Sequence, residues 1–475
     1  MRFSIAQAAA TAAGVALIHS AKPVLGACSF DEVSLLTDPG FTITINSDYK
    51  VLEDTTAKVK YGLYCDDTQP SDVKDIDRWF KVPVESVGLR IPIASGFLEA
   101  LGHSDKLVAA ESPGNLTNIC VDASKLKTLE SESTSSNDNN VNVVFSADES
   151  SDGNTSVRLP SDDSLTPLQK AEWIKFVAAF FNDEKSAESL FSGIADAYNC
   201  HWDNLQHLKD APHAYWVQYT DRSTPSYSII DSAYQKDLLA GAGATNDTRA
   251  ALSDSSDQKA FQDAVKDAGF VFDQTELHNY GQRASEWYSA FGYEDPKNSG
   301  VGFLTSRNIW RTDGYTNKEG VSNFPEFGYV RPDLVLQDII SVLEPSYDSE
   351  YSRRWLLWLG GTNENTKVIS ADNYDCSKPW ISTVDKCSAR TDFTGDSDSG
   401  NADSGADDSD DNGGSGSGRA GKIAGGVIGA AVFVGLVIVA LHYYNRHRRN
   451  ARIQALAQAE YGSEGIDLRD TRRFS

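Results

Sequence analysis

The chain has 475 residues and carries 43 basic against 68 acidic side chains, a net charge of −25. That length is too great for one compact core and predicts two lobes with accessory segments. The acidity excludes nucleic acid as a partner of the folded part.

Residues 1–27 read as a signal peptide, with Met1-Arg2, an apolar run and then small residues. The stretch "VLGAC" also spells a bacterial lipobox in which Cys28 would be lipidated, although the second anchor described below would make that redundant. Residues 28–78 form an extension in which "FTITINSDYKVLEDTTAKVKYGLY" alternates apolar and polar positions, the pattern of β-hairpins.

From residue 79 the rhythm changes to short apolar strands followed by helices, a first lobe reaching residue 164. Strands are expected at 87–93, 107–110 and 141–145, with a helix over 96–101 closed by Gly102. Ala94-Ser95-Gly96 would place the helix N-terminus at the end of the first strand. Free backbone N–H groups would face an anionic ligand there, with Ser95 as contact or cap.

Residues 165–210 predict linking helices, opened by Thr166-Pro167-Leu168-Gln169 as a capping box, with Asn182 between two helices. A second lobe over 211–391 resumes with "AYWVQY", "YQKDLLAGAG", "GFVFDQT" and "GQRASEWYSAFG" as strand, helix, strand, helix. A last amphipathic helix starts at Pro332-Asp333, with Leu336, Ile339, Ile340 and Leu343 on one face. Alternating elements of this kind predict an α/β fold of two parallel-sheet lobes joined by a long helix.

Residues 392–422 are an acidic Ser/Gly/Asp stalk that cannot bury enough apolar surface to fold. Residues 423–444 hold an uncharged apolar run long enough to span a bilayer, and 445–475 a basic tail. The expected result is a single-pass protein of the plasma or another secretory-pathway membrane, ectodomain outside and C-terminus in the cytoplasm. The stalk ends in "GSGRAGK", which mimics a phosphate loop, yet Ile423 stands where Ser or Thr is needed and no strand precedes it. Gly425 and Gly429 within the span read equally as a helix-packing pair and as common bilayer glycines.

The six cysteines, Cys28, Cys65, Cys120, Cys200, Cys376 and Cys387, lack any CxxC spacing, which in a secreted chain favours disulfides over metal. Cys376 with Cys387 is the expected local pair, the other connectivities staying open. Asn115, Asn154 and Asn246 open glycosylation sequons.

Three phrases in order, "VPVESVGLRIPIASGFLEALGHSDKLVAAESP", "AEWIKFVAAFFNDEKSA" and "GYVRPDLVLQDIISVLEP", resemble the helical-backbone, class III periplasmic binding proteins. That family holds ferric siderophores, haem, cobalamin or metal ions between two α/β lobes. The chain looks most like algal cell-surface relatives of the siderophore-binding type. The resemblance covers roughly 41–358 and implies a receptor, not an enzyme, that captures an iron chelate for uptake, with no cofactor of its own and a reductase or endocytic partner downstream.

By the rule that ligands sit beyond the carboxyl ends of parallel strands, the first lobe offers Ser95, Glu111, Ser112 and Ser146. The second offers Tyr219, Arg222, Tyr227, Tyr280, Arg307, Trp310 and Arg311. Arginine beside aromatic rings suits an anionic chelate with flat groups, and a surface salt bridge is the plainer role for each arginine. His103, His201, His207, His213 and His278 show no HxH or HExxH spacing, so a chelated metal is expected over a bare ion. Direct ferric binding through tyrosinates, an adhesive surface glycoprotein that kept only the fold, and an enzyme acting on the captured ligand are the alternatives. No GxSxG elbow or nucleotide motif supports the last.

Overall fold

The computed structural model describes residues 30–129, 141–148, 153–161, 164–205, 208, 211–220, 224–245, 252–276, 283–360, 365–370 and 372–390. They belong to one compact unit. The signal, stalk, apolar span and tail named above lie outside them, and among the described residues no helix is long and apolar enough to cross a membrane.

The alternating N-terminal segment forms β1 (Phe41–Ile45), β2 (Tyr49–Asp54) and β3 (Val59–Tyr64), an antiparallel meander that β4 (Arg78–Lys81) extends in parallel. The first lobe is a wholly parallel sheet of β5 (Val87–Leu89), β6 (Leu107–Ala110), β7 (Lys127–Thr128), β8 (Val143–Ser146) and β9 (Ser156–Arg158). Its order, β7-β6-β5-β8-β9, puts β5 in the middle. The chain winds outward from β5 first through β6 and then through β8, so the β5/β8 boundary is the topological switch point.

Helix α1 (Pro92–Ala100) begins four residues before the expected Gly96. Pro92 has its φ fixed for a first helical turn and lacks only an N–H that would go unpaired there, so the strand stops at Leu89 and extended Ile91 becomes the N-cap. Gly102, at φ +77°, closes the helix as its position predicts.

The capping box of Thr166 and Gln169 is present at the start of α2 (Pro167–Ala178). Asn182 ends the following turn in the left-handed conformation, φ +54°, and α3 (Glu184–Leu205) runs on for 22 residues, about 33 Å. The β1–β4 sheet packs on α2 through aromatic rings, Phe41 at 4.8 Å from Trp173 and Tyr61 at 5.9 Å from Phe176. Buried Glu172 of α2 accepts the Leu36 and Thr37 amides at 2.6 and 2.8 Å, tying the N-terminal arm to the same helix.

The second lobe departs from a wholly parallel sheet. Strands β10 (Ala214–Thr220), β11 (Ser226–Ile230), β12 (Leu252–Ser255), β13 (Phe270–Asp273), β14 (Ile309–Arg311) and, later, β16 (Leu357–Trp358) align in the order β12-β11-β10-β13-β14-β16. Only β10, β13 and β14 run parallel. β11 returns beside β10 as a hairpin, because too few residues separate them for a helical crossover. Helices α4 (Ala233–Gly241), α5 (Gln258–Ala264), α6 (Ala284–Ala290) and α7 (Gly302–Thr305) complete the lobe.

Beyond it, α8 (Pro332–Leu343) buries Leu336, Ile339, Ile340 and Leu343 as its spacing predicts. A small parallel pair, β15 (Tyr315–Thr316) and β17 (Lys367–Val368), leads into a strap over 372–390. The strap leaves the second lobe and lies along α1, with buried Ile381 in the main core and Trp380 between Phe327 and Trp355 at 6.0 and 5.7 Å.

The strap also corrects the expected local disulfide. Cys376 bonds to Cys120 of the first lobe, and Cys387 to Cys200 of α3. A Cys376–Cys387 bridge would close a loop on itself, whereas these two bonds pin the strap at both ends to separate elements, closing loops of 256 and 187 residues. Cys65 is disulfide-bonded too, and Cys28 lies outside the described residues.

Candidate functional site

The parallel strands of the first lobe end in a charged rim. Arg90 follows β5 directly; its amide donates to the Phe145 carbonyl at 2.8 Å, which fixes it at the β5/β8 switch point. Its Nη1 stands 3.5 Å from Glu111 Oε1 at the end of β6, with 8% of the Arg90 side chain exposed against 52% of Glu111. A cation held low in the rim beside an exposed carboxylate puts positive charge at the carboxyl ends of the strands. Ser112, also exposed, opens the turn Pro113–Asn115 next to it.

Ser95 and Ser146 do not join this rim. Ser95 is buried inside α1, where its Oγ accepts from Asn118 Nδ2 at 3.2 Å and its side chain hydrogen-bonds to Glu326. Ser146 is buried as well, bonded to the Asp148 carbonyl and 3.0 Å from Ser156 Oγ.

In the second lobe, Arg311 ends β14 but is buried and bound to Asp313 at 2.8 Å, beside Asp273. Asp273 accepts from the Thr275 amide and from Trp287 Nε1, both at 2.9 Å, and burial pushes its carboxyl up to about 6 although Arg311 opposes the shift. Trp310 faces Trp358 at 6.0 Å, with Arg353 over its ring at 4.7 Å. Arg307 is exposed at the start of β14, the end opposite the rim, with φ +57°. Tyr219 and Tyr227 are core residues, 5.5 Å apart and both packed on Phe291. Arg222 and Tyr280 lie outside the described residues. Among the described residues of this half, Tyr219, Tyr227, Trp310 and Arg311 are therefore turned into the sheet core by strand alternation, and Arg307 stands before β14 at its other end.

The loops that follow β6 and β14 meet. Asn317 Nδ2 donates to the carbonyls of Gly114 and Leu116, each at 3.1 Å, and Asn323 Nδ2 to Thr117 Oγ1 at 2.9 Å. Glu326, in the π-helical turn Phe324–Gly328, accepts the Thr117 amide at 2.6 Å, the Thr117 hydroxyl at 2.5 Å and the Asn118 amide at 3.1 Å. This turn occupies the place where a ligand at Ser95-Gly96 was expected. A β-carbon on Gly96 would collide with the Glu326 carbonyl, so the small residues of α1 serve close packing of the chain on itself. Asn115, exposed at this junction, and Asn154 keep accessible sequon asparagines, and Asn246 lies outside the described residues.

Glu99, one turn along α1 from Ser95, was not anticipated. It is 2% exposed and accepts the Tyr374 hydroxyl from the strap. Burial, and secondarily the nearby Glu326, raise its carboxyl to about 8. The folded chain thus keeps a proton that the unfolded chain loses near the ordinary carboxylate value, and stability is full below that value and falls as pH rises through about 8. Urea midpoints at about pH 5 and about pH 8.5 should differ in the wild type by more than in Glu99→Gln, where this part of the dependence is gone.

Arg90 and Glu326 were also missed. Arg90 is the first charge after the apolar "VGL", a signal that was available; Glu326 is a lone carboxylate in "NFPEFGYV", where burial of an acid among aromatic residues is itself the cue.

No family model matches the chain, and no curated protein matches it in sequence. Solved structures similar to it are periplasmic binding proteins, the class that the three phrases resemble. A periplasmic haem-binding protein of Vibrio cholerae is 16% identical, with a TM-score of 0.41, covering 55% of this chain and 99% of that one. A periplasmic haem-binding protein from Pseudomonas aeruginosa is 12% identical, with a TM-score of 0.41, covering 57% and 97%. A periplasmic vitamin B12-binding protein of Vibrio cholerae is 12% identical, with a TM-score of 0.38, covering 56% and 98%. Each overlay covers little more than half of this chain.

Proposed function

We propose that the chain is a solute-binding receptor that captures a small, oxygen-rich anion, a ferric chelate of siderophore type, at the carboxyl ends of the first lobe's parallel strands. The observation that carries this reading is Arg90 at the β5/β8 switch point, where open α/β sheets bind ligands, a positive charge beside exposed Glu111 at the strand ends. The sequence phrases resemble the class III binding proteins, whose ligands are ferric siderophores, haem, cobalamin or metal ions, and a ferric chelate falls within that range. The apolar run at 423–444 with its basic flank supports display on the outer face of a membrane. A reductase or an internalising partner then completes uptake, since binding alone moves nothing across a bilayer.

The test is a fluorescence titration of the full-length protein, which carries nine tryptophans, with ferric hydroxamate and catecholate siderophores, haem, cobalamin and free ferric iron. Saturable quenching by one chelate class is the expected result. Response to free iron alone would replace the reading with a tyrosinate site, and silence throughout would favour an adhesive glycoprotein.

A further inference from the structure

The β1–β4 sheet carries aromatic rings on both faces. Phe41, Leu52, Tyr61 and Phe80 join the main core, so strand alternation turns the residues between them to the outer face. Across that face one row of register partners runs Thr44, Val51, Gly62 and Trp79, and the next runs Tyr49, Tyr64 and Lys81. Tyr49, Val51, Tyr64 and Trp79 are half-buried, and among the described residues none of the four belongs to a hydrophobic core or packs on one.

Gly62 lets this face carry a flat ring. The Trp79 indole lies over it so closely that a β-carbon there would collide with Cδ2, Cε3 and Cζ3. One face of the indole is thus sealed against the backbone, which leaves its accessible area on the opposite face and the edges. Tyr49 and Tyr64 stand steeply beside it, each at 70° to the indole, with centroids 5.6 and 6.1 Å away. The hydroxyls of both tyrosines and of exposed Thr44 have no hydrogen-bond partner among the described residues. Charged groups border the rings in matched pairs, Lys60 with Glu53 at 3.6 Å and Lys81 with Asp67 at 3.1 Å, all four at least a third exposed.

We propose that this face binds a neutral carbohydrate, a β-linked, gluco-configured chain stacked on Trp79. A pyranose whose substituents are all equatorial presents only axial C–H groups above and below its ring. That flat apolar surface suits the negative face of an indole. Its rim of hydroxyls meets Tyr49, Tyr64, Thr44 and the Glu53–Lys60 pair, which between them donate and accept hydrogen bonds. A quaternary ammonium also seeks aromatic rings, but Glu53 and Asp67 are each matched by a lysine, so they supply no net negative charge to draw a cation in. The same matching spends both lysines and disfavours an anion.

The proposal is independent of the chelate reading, because these residues lie in the N-terminal sheet and Arg90 in the first lobe. Calorimetric titration of the full-length protein with cellotetraose and with tetramethylammonium chloride tests it. Cellotetraose should bind saturably and tetramethylammonium should not. Trp79→Ala, which removes no core residue, should weaken cellotetraose at least about tenfold, the order of one stacked aromatic contact. Gly62→Ala, which lifts the indole off the sheet, should weaken it as well, with urea midpoints establishing that both variants are folded during the titration. No saturable binding of cellotetraose, wild-type affinity in either folded variant, or tighter binding of tetramethylammonium than of cellotetraose would each overturn the proposal.

Discussion

Replacing Arg331 with alanine should lower the unfolding free energy by about 3–5 kcal/mol, the cost of breaking a buried ion pair from one side. The guanidinium is fully buried at the entrance to α8 and grips Asp333 with two bonds, Nε to Oδ1 at 2.9 Å and Nη2 to Oδ2 at 2.7 Å. Its Nη1 donates to the carbonyls of Trp380, Ile381 and Thr383 at 3.1, 3.1 and 2.7 Å. The substitution leaves a buried carboxylate without its cation and three strap carbonyls without this donor. Urea denaturation followed by tryptophan fluorescence should show a large drop in midpoint, and limited proteolysis should cut the strap first. A midpoint within experimental error of the wild type would mean that the strap is held by its disulfides alone.

Glu326→Leu should cost about 3 kcal/mol, because the Thr117 and Asn118 amides lose their acceptor inside the protein and each such donor carries about 1–3 kcal/mol. The effect has a location as well as a size. Glu326 joins the turn after the second lobe to the loop after β6, so hydrogen exchange at the Thr117 and Asn118 amides should accelerate more than at the β5 and β8 amides. Uniform acceleration would mean that the variant only lowers global stability, and that the turn is not a local clamp between the lobes.

These two sites explain what the sequence could and could not tell. The phrase "GYVRPDLVLQDIISVLEP" was legible as a helix because Leu336, Ile339, Ile340 and Leu343 repeat at helical spacing. Its charged letters turn out to be architectural. Arg331 and Asp333 anchor the strap, and buried Asp338 accepts the amides of Arg354, Trp355 and Leu356 at 3.0, 2.7 and 2.9 Å. The capping box at Thr166, the left-handed stop at Gly102 and the alternation of β1 to β3 were readable because local chemistry decides them.

The site was less legible. Tyr219, Tyr227 and Trp310 look like ring contacts for a flat ligand in the sequence, but a strand's alternation does not say which face is buried when both are, and the structure spends these rings on its cores. Ser95-Gly96 looked like a ligand loop because the partner that presses on it, Glu326, lies 230 or so positions downstream, beyond the reach of local pattern. The cysteine pairing was unreadable for the same reason: nearness in sequence favoured Cys376 with Cys387, and the path of the strap decides otherwise.

The most direct test of the account is the affinity of full-length wild type and Arg90→Ala for the ferric chelate that quenches tryptophan fluorescence, measured side by side with their urea midpoints. The account predicts at least about tenfold weaker binding in Arg90→Ala, the order of one charge-assisted contact, with binding compared under conditions where both urea midpoints show the proteins fully folded. Equal affinity in the two proteins would contradict it and move the ligand away from the β5/β8 switch point.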